Sequence, residues 1–260
     1  MSTVYEKLQI FRLSGEFAHW RKWFTTTSAL TFSFPPRTAI IGLVGAVLGI
    51  QRDDVPIKFP ADQTRIAVSP LVAIEKSRLA ENWRQTPPQI SAGKFRYVKM
   101  HENFQSNMEV IRRPCYRIFF WHEDTRLLDE LKRRLQQKRY VYTPYLGILG
   151  FLAKIEWEGE DTAHESLKSE AEICTVLPLD EESAKHARLK GTSSYVREER
   201  IPNEVFPGRQ FSYLHLAYVP RDANMISVQA EKEVLSVFEL KERKWCGMFL
   251  EQNSIESKKP

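Results

Sequence analysis

The sequence predicts an α+β fold: a ferredoxin-like βαββαβ unit over residues 1–160, then a small β-rich part. Three observations predict it. VYEKLQIFRL (4–13), CYRIFFW (115–121) and FLAKIEW (151–157) place apolar residues at strand-like spacing. PPRTAIIGLVGAVLGI (35–50) and DTRLLDELKRRLQQK (124–138) combine helix-start signals with long helical runs. Their order along the chain is strand, helix, strand, long insertion, strand, helix, strand, which is the βαββαβ order.

Taken in turn, the strand at 4–13 lacks helix caps and is broken by Ser14-Gly15-Glu16. The loop after it is polar, aromatic and basic (His19, Trp20, Arg21, Lys22, Trp23), then rich in Thr and Ser to residue 28. Residues 30–34 are short and β-prone. Pro35-Pro36 suits a helix start, where a missing N–H costs nothing. In that helix Gly42, Gly45 and Gly49 fall three and four apart, roughly on one face. Each costs about 1 kcal/mol of helix propensity, so the spacing predicts very close packing along that face. Residues 65–78 carry two apolar runs around Pro70 and predict one long edge strand, or a strand with a bulge.

From 78 to 113 the pattern dissolves into a basic insertion with interspersed aromatics. The helix at 125–138 has Asp124 or Thr125 as cap, a leucine face, and cations near its C-terminus, where the helix dipole favours them. Residues 156–182 are strongly acidic, with a strand expected at 173–177. Within 161–250, β-like runs at 195–201, 211–219, 225–228 and 234–240 predict a β-rich subdomain, and 251–260 a frayed polar tail.

Composition narrows the function classes. The 260 residues are 42% hydrophobic and 27% charged, ordinary for a soluble globular protein. The net charge of +5 suits a nucleic-acid partner without requiring one. Three scattered cysteines argue against a disulfide framework or a cysteine zinc site and suit a reducing compartment. The apolar run 39–50 is too short to cross a bilayer, which needs about 20 residues. No signal-peptide pattern opens the chain. A cytoplasmic protein with no membrane partner is expected.

Zincin, nucleophile-elbow and Walker motifs are absent, and the six histidines lack metal-ligand spacing. Neither a metal site nor a cofactor is expected. Gly42-Leu43-Val44-Gly45 matches Gly-x-x-Gly inside an apolar helix and reads as close packing. Gly147-Ile148-Leu149-Gly150 reads either as a turn bringing N–H groups to a phosphate or as a plain turn. His19-Trp20-Arg21-Lys22-Trp23 and KFRYVKMHENF (94–104) offer the cation-and-stacking chemistry that holds single-stranded nucleic acid. The same residues would also suit a solvated charged surface with its aromatics turned inward.

AHWRKWFTTTSALTFSFPPRTAIIGLVGAVLGI resembles the N-terminal signature of the Cas-five family of CRISPR-associated RAMP proteins, and TPYLG resembles its second signature. The likeness covers roughly residues 1–160 and is weak beyond. It implies a RAMP/RRM-like core with an inserted β-hairpin thumb at about 78–113, and no catalytic residues of its own. It also implies a structural subunit of a type I Cascade-like antiviral complex, binding the 5′ handle of CRISPR RNA and contacting the backbone and large subunits. On this resemblance, His19, Trp20, Arg21, Lys22, Arg37, Tyr145 and Gly147 are the expected handle contacts. The insertion's Lys94, Arg96, Lys99, His101, Arg112 and Arg113 are expected to contact RNA too. In one subtype the family member cuts precursor RNA without metal. His101 with Lys99 and Tyr97, or His19 with Lys22, supplies suitable residue types for that alternative. A protein–protein adaptor that binds no RNA is the further alternative.

Overall fold

The computed structural model describes residues 3–25, 28–84, 103–179, 187–190, 196–206, 210–219, 226–230 and 235–250. In chain order the first half runs β1 (Val4–Ser14), β2 (Phe17–Ala18), α1 (Arg37–Leu48), α2 (Val55–Lys58), β3 (Thr64–Pro70), β4 (Glu75–Arg84), β5 (Asn103–Arg112), β6 (Cys115–His122) and α3 (Thr125–Gln137). Among the described residues the second half's elements are all strands: β7 (Lys154–Lys168), β8 (Glu170–Ile173), β9 (Leu177–Leu179), β10 (Ala187–Lys190), β11 (Val196–Phe206), β12 (Gln210–Tyr218), β13 (Ile226–Ala230), β14 (Leu235–Leu240) and β15 (Cys246–Gly247). The fold is mixed α and β, strand-rich, with antiparallel sheets.

The main sheet has the order β15-β14-β7-β1-β6-β3. β1 is central because both its faces are apolar. Phe11 and Leu13 point into the cluster under the helices, and Leu8 and Ile10 into a second cluster with Phe119, Phe238 and Leu240. Tyr5 joins that second cluster, which strict alternation from Leu8 would forbid. A bulge between Tyr5 and Leu8, with Lys7 at φ 58°, supplies the extra residue.

Helices α1 and α3 cover one face of this sheet. α1 begins after Pro36 and ends at Gly49 in the left-handed conformation (φ 82°), whose N–H donates to the Gly45 carbonyl. α3 is capped by Asp124, whose carboxylate accepts from the Arg126 N–H at 2.9 Å, and buries Leu128, Leu131 and Leu135. The glycine face of α1 is close-packed in part. A Cβ at Gly45 would meet Val55 at 2.7 Å and one at Gly49 would meet Val141 at 2.8 Å, whereas Gly42 has nothing within 4 Å. Gly42 instead opens onto a cleft of about 1080 Å³, shared with Ile41, Ala46, Ile50, Phe206 and Phe211.

Residues 65–78 are two strands and not one. β3 stays in the main sheet to Pro70, Leu71 bonds to the Cys115 carbonyl, and β4 then leaves to pair with β5. β5 pairs on its other edge with β2, so β4 and β5 form a hairpin stem rooted at the basic loop. Residues 85–102, which hold Lys94, Arg96, Lys99 and His101, lie outside the described residues.

The acidic stretch is structural. β7 runs through residue 160, and its carboxylates answer cations on neighbouring elements. Glu158 takes Arg12 at 2.8 Å and Arg117 at 2.5 Å, and Glu160 takes Lys132 at 3.3 Å. Burial alone would raise the Glu158 carboxyl, but Arg117 and Arg12 outweigh it and hold it below its ordinary value. The strand expected at 173–177 is the end of β8 and the start of β9, split at Cys174–Val176, where the Val176 N–H donates to the Val68 carbonyl at 2.8 Å. Strands β8, β13 and β10 form one small sheet and β9, β12 and β11 another, while β14 and β15 return to the main sheet.

Candidate nucleic-acid interface

Three segments that the sequence singles out meet at His19. Its N–H donates to the Leu146 carbonyl at 3.0 Å, and its ring Nδ1 lies 2.7 Å from the Glu109 carbonyl of β5. A carbonyl only accepts, so Nδ1 carries the proton in the neutral ring. The turn from Leu146 closes on itself, with Leu146 N–H to Phe151 O at 2.7 Å and Phe151 N–H to Ile148 O at 3.2 Å. Gly147 sits so close beneath the loop that a Cβ there would lie 1.8 Å from the His19 carbonyl oxygen. Its φ of 97° is also unsuited to a side chain. Basic loop, hairpin stem and Gly147 turn are therefore one backbone-bonded unit.

The basic loop is itself a narrow ribbon. Lys22 N–H donates to Leu30 O and Phe32 N–H to Trp20 O, each at 2.8 Å. Its far side is anchored by Glu198 of β11, whose carboxylate is only 4% exposed. Glu198 takes Lys22 at 2.7 Å, the Ser33 hydroxyl at 2.5 Å and Lys76 of β4 at 3.7 Å. The Ser33 hydroxyl accepts from Tyr218, and the Ser33 carbonyl accepts from Tyr116. Burial, with Tyr218 and Glu198 nearby, pushes Tyr116 far above its ordinary value. Burial likewise pushes Tyr218 up to about 12, so both phenols stay protonated donors.

This geometry divides the expected site residues. Arg21, Arg112, Arg113, Tyr145 and Gly147 are exposed. Lys22 is half-buried, its ammonium held by Glu198 and lying over the Phe32 ring. Three of the expected contacts, Trp20, Arg37 and His19, are buried. Trp20 (5% exposed) packs edge-on to Tyr116 in the core, and its indole has no face to offer a base. Arg37 (2% exposed) donates to the carbonyls of Phe59 and Thr64, so it ties the start of α1 to the start of β3. His19 (3% exposed) is held below its ordinary pKa chiefly by burial, against the Glu109 hydrogen bond and with the Arg21 charge assisting. It organises the junction as a neutral ring.

No sequence pattern marks Glu198, Glu109 or Lys76 as part of the junction. Glu198 lies in the charged run 197–200, where nothing in spacing distinguishes the one that turns inward, and Glu109 and Lys76 carry no local signal of their ion pair. Among the described residues no group of three or more His, Cys, Asp or Glu could hold a metal ion, and no helix is long and apolar enough to cross a membrane.

Residues 10–138 match the family model described as CRISPR-associated protein (Cas_Cas5). The CRISPR system Cascade subunit CasD of Escherichia coli (strain K12) is 29% identical over 144 residues, covering 53% of this chain and 63% of CasD. The match thus spans less than two thirds of that relative's length. Among solved structures, a chain of a CRISPR RNA-guided surveillance complex aligns with a TM-score of 0.46 at 12% identity, over 90% of this chain and 91% of that one. A CRISPR protein from Archaeoglobus fulgidus aligns with a TM-score of 0.45 at 11% identity, over 92% and 98%. The family match starts in β1, takes in the basic loop, α1 and the hairpin, and ends just after α3. This chain belongs to the CRISPR-associated Cas5 family.

Proposed function

We propose that the protein is a CRISPR RNA-binding structural subunit of a type I Cascade-like interference complex, holding the 5′ handle and capping the backbone. The observation that supports this best is the junction at His19. It gathers segments distant in sequence into one rigid surface on which Arg21, Arg112, Arg113 and Tyr145 are exposed. Phosphates would be met by the arginines and by N–H groups of the Gly147 turn. Membership in the same family as a Cascade subunit supports the assembly.

In this reading β7, β1, β6 and β3 are the ferredoxin-like RAMP core, neighbours in the order fourth, first, third, second. The β4–β5 hairpin with residues 85–102 is the thumb that reaches the adjacent backbone subunit. Residues 161–250 add a β-rich part that also buttresses the loop through Glu198. The protein works in the cytoplasm, beside the backbone and large subunits.

The test is copurification with the backbone subunit, followed by competition between handle RNA and a scrambled RNA of equal length. Preference for the handle, weakened by Arg112→Ala and Arg113→Ala and by added salt, is the expected result. Equal affinity for the two RNAs would refute the assignment.

A further inference from the structure

The handle surface leaves one exposed cluster unused. Trp23 is 48% exposed and Phe24 54%, unusual for two adjacent large aromatics in a folded loop. The Arg200 guanidinium of β11 lies over the Trp23 ring at 4.5 Å and over the Tyr213 ring of β12 at 5.3 Å. Trp23 and Tyr213 stand 5.9 Å apart at 45°, and Phe24 meets Trp23 edge-on at 5.6 Å.

The cluster is built and not incidental. The β11–β12 register jumps between Glu198 and Ile201, and Arg200, inside that jump, has φ 52°. A non-glycine residue in that region is uncommon, and bulges serve to re-aim side chains. Two residues before Arg200, Glu198 grips Lys22, the residue preceding Trp23. One buried ion pair therefore fixes both halves of the cluster, although they come from opposite ends of the chain. The arrangement is preorganised: forming it on binding requires no further ordering of either backbone.

We propose that Trp23, Arg200 and Tyr213 form a stacking subsite for one unpaired RNA base. The base lies on the solvent-facing part of the Trp23 indole, and Arg200, already seated over the rings, directs its remaining N–H donors to the adjoining phosphate. An aromatic ring with a guanidinium beside it is the chemistry that single-stranded nucleic acid uses, because every base has a π-face and every linkage a charge. The cluster is continuous with the RNA surface through Arg21 and Lys22 of the same ribbon, which favours RNA over a peptide as the occupant. This inference rests on the RNA-binding reading above.

The experiment uses the full chain in its copurified assembly, with a labelled single-stranded RNA of the repeat sequence and a series of the same RNA carrying one abasic position at a time. Wild type is expected to lose about 5- to 150-fold in affinity at one abasic position. Trp23→Ala is expected to lose a similar factor on intact RNA and nothing further at that position, with Trp23→Phe between the two. Trp23 is half in water, so the melting temperature of both variants should stay within a few degrees of wild type, which separates lost stacking from lost folding.

If wild type binds the RNA yet no abasic position matters and Trp23→Ala binds equally, the subsite is refuted while the RNA reading stands. If wild type does not bind the repeat RNA, the reading itself fails and takes the subsite with it. If Trp23→Ala keeps its RNA affinity but loses a protein subunit from the assembly, the cluster is a protein contact and the proposal is overturned.

Discussion

Replacing Gly147 by alanine should break the junction at His19, and Gly150 in the same turn is its internal control. Both glycines have nearly the same backbone, φ 97° and 98°. A side chain in the left-handed half of φ costs about 1–2 kcal/mol, so both substitutions carry that term. Only at Gly147 does the new Cβ meet something: the His19 carbonyl oxygen at 1.8 Å and its carbon at 2.7 Å, against empty space at Gly150. Those atoms are backbone and cannot rotate away, so turn and loop must part. The bond most exposed to that movement is the one from the His19 N–H to the Leu146 carbonyl, at 3.0 Å, worth about 1 kcal/mol. Gly147→Ala should therefore lose about 1–2 kcal/mol more than Gly150→Ala, a gap of about 2–8 °C in melting temperature for a chain of this size. Parallel melting curves, with handle-RNA affinity measured on both variants, decide it. Equal losses of stability would refute the claim that this glycine is required by close approach as well as by its own φ.

The same contact logic predicts opposite signs within α1. Gly42→Ala should stabilise by about 1 kcal/mol, since nothing opposes the added methyl, while Gly45→Ala should destabilise through its 2.7 Å contact with Val55; urea midpoints test both. Glu198→Gln removes the charge that holds Lys22 in a half-buried site and should cost about 1–3 kcal/mol by the same measurement, with Trp23 fluorescence changing as its anchor loosens. His19, held below its ordinary value mainly by burial, takes a proton more readily in the unfolded chain. The unfolded state then binds more protons, so stability falls as pH drops from about 6.5 toward the folded value, and His19→Gln should flatten that limb of a stability–pH profile.

How far the sequence could be read follows from what each signal depends on. α3 was legible to within a residue because cap, leucine period and stop all lie inside one segment, and the ends of α1 because Pro36 and Gly49 mark them. β3 and β4 were read as one strand because a single sequence shows that Pro70 suits an edge but not that the next strand pairs elsewhere. The glycines of α1 look alike in spacing, and only the position of Val55, set by the turn into α2, separates Gly45 from Gly42. Trp20 and Trp23 flank the same two cations. Which indole enters the core depends on Tyr116, nearly a hundred positions away, so no local pattern distinguishes them.

The same non-locality governs the charges, and it changes what the net charge of +5 means. Part of the basic content is committed to ion pairs within the fold or on its surface: Arg12 and Arg117 to Glu158, Lys22 and Lys76 to Glu198, Lys132 to Glu160, Arg133 and Arg134 to Glu130. A surface for RNA draws on exposed cations, and at the junction and the aromatic cluster these include Arg21, Arg112, Arg113 and Arg200. Each phosphate contact to a single strand contributes about −0.7 to the slope of log affinity against log salt, so four contacts predict a slope of about −3. Arg112→Ala and Arg113→Ala should each make it shallower by about 0.7, whereas Lys132→Ala, whose partner is Glu160, should leave it unchanged. A slope that responds to Lys132 as strongly as to Arg112 would mean that overall charge, and not the arrangement around His19, governs binding, and the assignment of the interface would fall.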